Sequence, residues 1–348
     1  MTDPEQNRIT VIADEKLWME QDALDQLKNV AALPGVTRAV GLPDLHPGKI
    51  PVGIVLETQG VIYPHLIGND VGCGMGLFET NRRVKKFRQE HFVKKLNEIE
   101  SLRDIPADSP FPEKCPIIDL GTIGGGNHFA EFQLVEEVCD KEAFNAIGID
   151  KDKILLLVHS GSRGYGERVM DEFGDYGGIE AADERAAAYM AAHDCALMWA
   201  SRNRFMVAKK LTDHLGCSSE LKTLIDCRHN FMERREGNAE RYLHRKGAVS
   251  ALLGPVVIPG SRGSFTYIAA PSGETGVSLH SLSHGAGRKW PRSLCKGRLK
   301  DKYDRSAIHE TRIGSETVCH DVNLLYEEAP EAYKGIDHIM DVLVNYGL

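Results

Sequence analysis

An α+β fold is predicted by three features of this 348-residue sequence. It has helix-length stretches, short apolar runs bounded by glycine and proline, and no steady strand–helix–strand rhythm. Residues 14–33 read as a helix that begins near Asp14 and stops at Pro34-Gly35, with Trp18, Leu24, Leu27 and Val30 in partial helical spacing. GIVLETQGVIYP (53–64) follows as strand. The charged, amphipathic residues 85–104 form the second helix, and CPIIDLG (115–121) and KILLLVHSG (153–161) are the next strands. The alanine-rich stretch 181–216 is one long helix or two joined at a kink. VSALLGPVVIPG (249–260) and SFTYIAAP (264–271) are strands again. The last helix, 330–345, starts at Pro330, a good first-turn residue, and carries Ile336, Ile339, Met340 and Leu343 on one side. No repeat or linker interrupts the chain, so residues 1–348 are expected to form one compact catalytic domain.

Composition narrows the function classes. Apolar residues at 42% and charged residues at 26% suit a globular protein with a full core. A formal net charge of −8 argues against a histone-like polyanion binder, although a local basic cleft is invisible in the sum. No apolar run reaches membrane-span length, and MTDPEQNRIT lacks the basic end and apolar core of a secretion signal. No membrane partner is expected, and the expected compartment is the cytosol. Eight cysteines without a CxxC pair make no disulfide scaffold. The 34 glycines cluster beside histidines, where backbone must approach a ligand closely.

Two constellations carry chemistry. GNDVGCGMG (68–76) sets Asp70 and Cys73 three residues apart in a glycine-rich turn, and His128, His159 and His229 each accompany an apolar strand. A single histidine of this kind is more often structural. Five ligand-type residues in glycine-flanked loops are too many for one tetrahedral ion and suit two divalent ions sharing the Cys73 sulfur. Ligand type leaves Mn²⁺, Zn²⁺ and Co²⁺ open. In SLSHGAGRKWPR (281–292), Gly285 and Gly287 let backbone N–H groups face an anion, and Arg288 and Arg292 add fixed positive charge. A neutral His284 there is placed to attack phosphorus. No GxxxxGK[ST] phosphate loop and no lysine followed by x-D-G is present. The basic run SRNRFMVAKK (201–210) reads as a solvated helix face.

Taken in order, PDLHPGK, GNDVGCG, GGGNHFAE, HSGSRG, HNF, PGSRG, HRKGA, SHGAGR and EAPEAYK, spread over residues 40–337, resemble the RtcB-type RNA ligases. These GTP-dependent enzymes join RNA 3′-phosphate or 2′,3′-cyclic phosphate ends to 5′-hydroxyl ends. The resemblance implies a catalytic domain with mixed sheets and flanking helices around a metal cleft. It implies two Mn²⁺ ions, one on Asp70, Cys73 and His128 and the other on Cys73, His159 and His229. It makes His284 the histidine that becomes guanylylated, before an RNA 3′-pp-G intermediate forms, with Asp44 and His46 in the early PDxH element and Arg292 near the RNA end. The implied GTP-binding set is Asn127, His128, Phe129, Ala130, Glu131, His229, Asn230, Pro259, Gly260, Ser261, Arg262, Thr266, Gly285, Ala286, Gly287 and Lys334, with Lys334 on the final helix against the guanine. Arg262 replaces the family's usual methionine, which alters the nucleotide loop, and Thr266 replaces a serine. The chain is shorter than the common form, which bears on RNA-end preference and on any archease-type activator. Short forms resemble a variant found with a release-factor-like partner and linked to repair of damaged RNA. Two rivals remain: a two-metal phosphodiesterase or phosphatase, which needs no GTP-reactive histidine, and an RNA-binding protein with a closed structural metal.

Overall fold

In the computed structural model, which describes residues 8–104, 120–174, 177–219, 221–235, 240–304 and 306–348, the run KILLLVHS becomes the strand Lys153–Ser160. It is buried on both faces, which is why its apolar residues do not alternate with polar ones. Leu155 and Leu157 join a core with Val40, Leu42 and Val55. Leu156 and Val158 instead pack under Val207, Ala208 and Leu211 of the helix Glu184–His214. This strand lies second in a four-stranded antiparallel sheet, ordered Phe129–Gln133, Lys153–Ser160, Gly74–Arg83, Lys222–Arg228. A five-stranded sheet faces it, ordered Ile9–Val11, Val36–His46, Val52–Gln59, Arg241–Lys246, Asn230–Arg234. Its first pair is parallel and the rest antiparallel, so the fold is α+β with mixed sheets. The final helix Ile336–Asn345 closes the inter-sheet core with Ile339, Val342 and Leu343. No helix among the described residues is long and apolar enough to cross a membrane.

The register places the chemistry. Gly74 pairs with Ser160 on one side and Arg228 on the other, so Cys73, His159 and His229 stand at three adjacent strand ends. Gly72 makes this possible at close quarters. Its φ of +73° is left-handed, and an added Cβ would lie 2.9 Å from the Ala200 methyl of the long helix.

Several expected boundaries shift. The first helix spans only Gln21–Ala31, because the Asp14 carboxylate accepts the Lys16 and Leu17 amides and turns the chain there. The 85–104 stretch splits into a 3₁₀ turn Val84–Lys86, a helix Gln89–Asn97 and a 3₁₀ turn Leu102–Asp104. The alanine-rich stretch is a single helix of 31 residues, capped by Asp183. Pro330 opens only a 3₁₀ turn, Pro330–Ala332, and the helix starts after Gly335, leaving Lys334 outside it. In 249–260 the chain makes two strands, the second being Val256–Pro259. Most of CPIIDLG, residues 115–119, lies outside the described residues. The short helices Lys141–Ile147, Gly164–Phe173, Arg292–Leu299 and Val322–Glu327 were not expected, because each runs three turns or fewer and repeats its apolar positions too few times to stand out as a period. The 201–210 run is not a solvated face: Asn203, Arg204 and Lys210 are buried against the sheet.

One buried histidine makes stability depend on pH. His244 Nε2 accepts the Tyr63 amide at 2.9 Å, which requires an unprotonated nitrogen. Burial, reinforced by His65 and His193, pushes its pKa down to about 3. The unfolded chain therefore binds this proton first as pH falls below about 6.5, and stability declines from there toward the folded pKa, by up to about 1.4 kcal/mol per pH unit. In metal-free protein, the Tm difference between wild type and His244→Gln should shrink between about pH 7 and about pH 5. A constant difference would show that His244 does not titrate on unfolding.

Candidate metal and nucleotide site

The three strand ends and the loop before Phe129 converge in one cleft. Cys73 Sγ lies 3.2 Å from His128 Nε2 and 3.2 Å from His159 Nε2. His159 Nε2 is 3.4 Å from His229 Nε2, and His128 Nε2 is 2.9 Å from Asp70 Oδ2. All five expected ligands are thus brought together in a chain, with the sulfur between its two halves. His159 Nδ1 donates to the Asn127 carbonyl at 2.9 Å, which fixes the ring and leaves Nε2 facing the cluster.

The electrostatics fit divalent cations. Burial holds His159 and His229 well below the ordinary imidazole pKa, so both are neutral and have a lone pair to give. Burial, then the Asp70 charge, pushes the Cys73 thiol up. Burial also raises the Asp70 carboxyl, but the hydrogen bond and charge of His128 hold it below the usual range. His229 Nδ1 is buried without a hydrogen-bond partner among the described residues. The His128–Asp70 hydrogen bond aside, the thiol and the His159 and His229 imidazoles turn their donor atoms toward one another. A borderline cation on each side of the sulfur fits that donor set.

Beside it stands a second arrangement. His284 Nδ1 lies 2.5 Å from Asp44 Oδ2, and the His284 amide donates to the same oxygen at 3.1 Å. Asp44 is fully buried; burial raises its carboxyl, and the charge and hydrogen bond of His284 bring it below the usual range. With Nδ1–H donated to the carboxylate, Nε2 is the free nitrogen. The His284 and His229 ring centroids are 4.8 Å apart. The His46 ring stacks on that of His284 at 6.4 Å, with its pKa pushed by burial down to about 4. Gly287 permits the approach of the loop: at φ +70° an added Cβ would meet the Asp44 carbonyl at 2.3 Å.

The remaining expected residues divide into two groups. Asn127, His128, Phe129, Ala130, Glu131, His229, Asn230, Pro259, Gly260, Ser261, Arg262, Gly285, Ala286, Gly287 and Arg292 all line the cleft. Burial raises the pKa of Glu131, whose partner Gln133 also donates to Thr266. Thr266 therefore stands behind Glu131. Asn230 is spent on structure, donating to the Asp70 carbonyl and accepting the Gly247 amide. Arg262 reaches away from the cleft to the Leu325 carbonyl at 2.8 Å, tying its turn to the helix Val322–Glu327. Lys334 is buried outside the final helix, donating to the carbonyls of Pro43 (3.0 Å) and Leu45 (2.8 Å) on either side of Asp44. Burial lowers its pKa to about 8. Arg288 is not a free anion ligand: Glu328, Tyr333 and the Glu327 and Trp290 carbonyls occupy it. Arg292, two-fifths exposed at the cleft mouth, keeps a 3.3 Å contact with Glu328.

Two site cations were not assigned from the sequence. Arg163 sits at φ +53°, costly for a residue with a side chain. Its NH1 donates to His128 Nδ1 at 3.3 Å. Lys246 lines the cleft beside Asp70 and Cys73. Both belong to quoted motifs, HSGSRG and HRKGA, which was the available signal.

The family model described as tRNA-splicing ligase RtcB matches residues 26–117 and 112–348. An Escherichia coli protein named RNA-splicing ligase RtcB2 is 39% identical over 99% of this chain and 93% of its own length. The RNA-splicing ligase RtcB of Escherichia coli K12 is 29% identical over 94% of this chain and 92% of its own. The tRNA-splicing ligase RtcB of Methanococcus maripaludis is 26% identical over 97% and 91%.

The central sulfur should be decisive for metal loading. On the two-ion expectation, Cys73→Ala should lose both ions in a Mn²⁺ titration, because the ligand they would share is gone. His229→Ala should lose one and keep the other. Full occupancy in the Cys73 variant would end the shared-sulfur assignment.

Proposed function

Because the chain belongs to the RtcB family of tRNA-splicing ligases, and is an RNA ligase by that membership, we propose that it joins RNA 3′-phosphate ends to 5′-hydroxyl ends using GTP. The observation that carries the GTP step is the buried Asp44–His284 pair, set against the ring of His229, one of the proposed metal ligands. A nucleophilic imidazole needs one nitrogen tied and the other free, and Asp44 ties Nδ1. His284 Nε2 attacks the α-phosphorus of GTP, forming an N–P bond and expelling pyrophosphate. An oxygen of the RNA 3′-phosphate then attacks the same phosphorus, the N–P bond breaks, and the RNA carries a 3′-pp-G end. The 5′-hydroxyl attacks the RNA phosphorus and GMP leaves. A 2′,3′-cyclic end is first hydrolysed to the 3′-phosphate.

Asp70, Cys73, His128, His159 and His229 would hold two divalent cations, Mn²⁺ in this reading, which when bound neutralise charge on phosphoryl oxygens. The chain's own groups do the rest. The Glu131 carboxylate faces the cleft as the acceptor that suits the N1–H and 2-amino group of guanine. Arg292, at the mouth, is positioned for an RNA phosphate. Lys334 acts through the strand segment it holds around Asp44. In this reading residues 1–348 work as one catalytic unit in repair of cleaved RNA.

Incubation with Mn²⁺ and α-labelled GTP should give acid-labile, base-stable label on the protein. His284→Ala should take up none while binding metal normally, and Asp44→Asn should slow labelling by about 10³–10⁴-fold, the usual cost of mis-set imidazole orientation. Label on the His284 variant would overturn the phosphoramidate step. RNA-end hydrolysis without any labelling of wild type would favour a phosphodiesterase instead.

The two outer cations should separate the steps. Arg292→Ala should spare labelling and slow sealing by about ten- to a hundredfold, the range of one lost charge-assisted contact. Lys334→Ala should slow labelling without relaxing the choice of GTP over ATP, whereas Glu131→Gln should relax it. Single-turnover assays with both nucleotides check this; relaxed selectivity in the Lys334 variant would place that amine on the base.

A further inference from the structure

The middle of the long helix Glu184–His214 carries two buried polar side chains where apolar packing alone would join helix to sheet. Val207, Ala208 and Leu211 already provide that packing. Arg204, only 2% exposed, instead makes four charge-assisted bonds. Its NH1 donates to the Gly72 carbonyl at 2.8 Å and to the Ser160 carbonyl at 2.9 Å. Its Nε and NH2 grip Asp226 at 2.6 and 3.1 Å, and Ser201 donates to the same carboxylate. Gly72 precedes Cys73, Ser160 follows His159, and Asp226 lies three residues before His229. One guanidinium therefore spans the three adjacent strand ends that carry three ligands.

Asn203 does the same for the fourth. Its Oδ1 accepts the amides of Gly121 (2.7 Å) and Thr122 (3.1 Å). Its Nδ2 donates to the Thr122 carbonyl, Ser160 Oγ and the Gly161 carbonyl at 2.9, 3.0 and 3.3 Å. This ties the loop leading to Asn127 and His128 onto the end of the His159 strand.

We propose that Arg204 and Asn203 are positioning residues of the metal site, which set the spacing of Cys73, His128, His159 and His229 by clamping the backbone beside them. The proposal rests on the two-cation reading above. A planar fork is needed, because a single ammonium cannot bond two carbonyls on neighbouring strands and both oxygens of a carboxylate in fixed directions. Partners of this kind that orient ligands typically govern metal affinity by ten- to a hundredfold.

The test uses Co²⁺ as probe, read by the thiolate-to-cobalt charge-transfer absorption and by calorimetric affinity, with Tm measured on metal-free protein. Arg204→Lys keeps the charge beside Asp226 and should fold, yet bind Co²⁺ about ten- to a hundredfold more weakly with an altered absorption. Val207→Ala, on the same buried stretch of helix, should lower Tm and leave affinity and absorption as in wild type. Should Arg204→Lys not fold, Asn203→Ser carries the test, with the same expected loss. Wild-type affinity and absorption in a folded clamp variant, or losses in Val207→Ala that match its own, would overturn the clamp alone. Absence of the absorption in wild type would overturn the metal reading, and the clamp with it.

Discussion

Cys73 is tied at both ends of its own backbone, and the site is built outward from those ties. Its amide donates to the Asp70 carbonyl at 3.1 Å, closing the turn, and its carbonyl accepts the His229 amide at 2.8 Å. Three of the proposed ligands are thereby linked through main-chain hydrogen bonds before any side chain is considered. The sheet register then sets His159 beside them, and the Asn127 carbonyl orients its ring. A cluster assembled on strand ends in this way cannot adjust one ligand alone. On the proposed function, that rigidity would hold the ions in place while phosphates move past them.

The Asp44–His284 side of the cleft obeys a different constraint, the depth at which Asp44 is buried. A buried carboxylate must be paired, and Asp44 is paired with the ring and the amide of one histidine. The Lys334 amine holds the carbonyls on both sides of it. Gly287 lets the histidine loop come within contact of the same segment. The orientation of His284 therefore follows from three elements distant in sequence.

Formal charge says little about which cations face substrate. Arg204, Arg288, Lys246 and Lys334 all donate to backbone carbonyls, and their positive charge is committed to holding loops and strand ends. Arg292 stays two-fifths exposed at the mouth of the cleft. A protein with a net charge of −8 can thus keep a positive group exposed at the mouth of its cleft without a basic surface.

Local chemistry was legible in the sequence: a carboxylate and a thiol three residues apart in a glycine turn, histidines at the ends of apolar runs, and a histidine within a glycine loop. These signals depend on neighbours a few residues away, and the structure brings the same residues into one cleft. Strands such as Val36–His46 and Gly74–Arg83 were not legible, because glycine and charged residues interrupt their apolar pattern. The inward face of the long helix was hidden for a related reason: Asn203 and Arg204 look like solvated residues until their partners, 22 to 132 positions away, are known. Lys334 likewise reads as a helical surface cation, yet it is buried against residues nearly 300 positions earlier. Sequence alone marked which groups are able to do chemistry, since reactivity belongs to residue type and local backbone. Only the tertiary structure decided which polar groups serve substrate and which serve the scaffold, since burial and long-range hydrogen bonds exist only once the strands have paired.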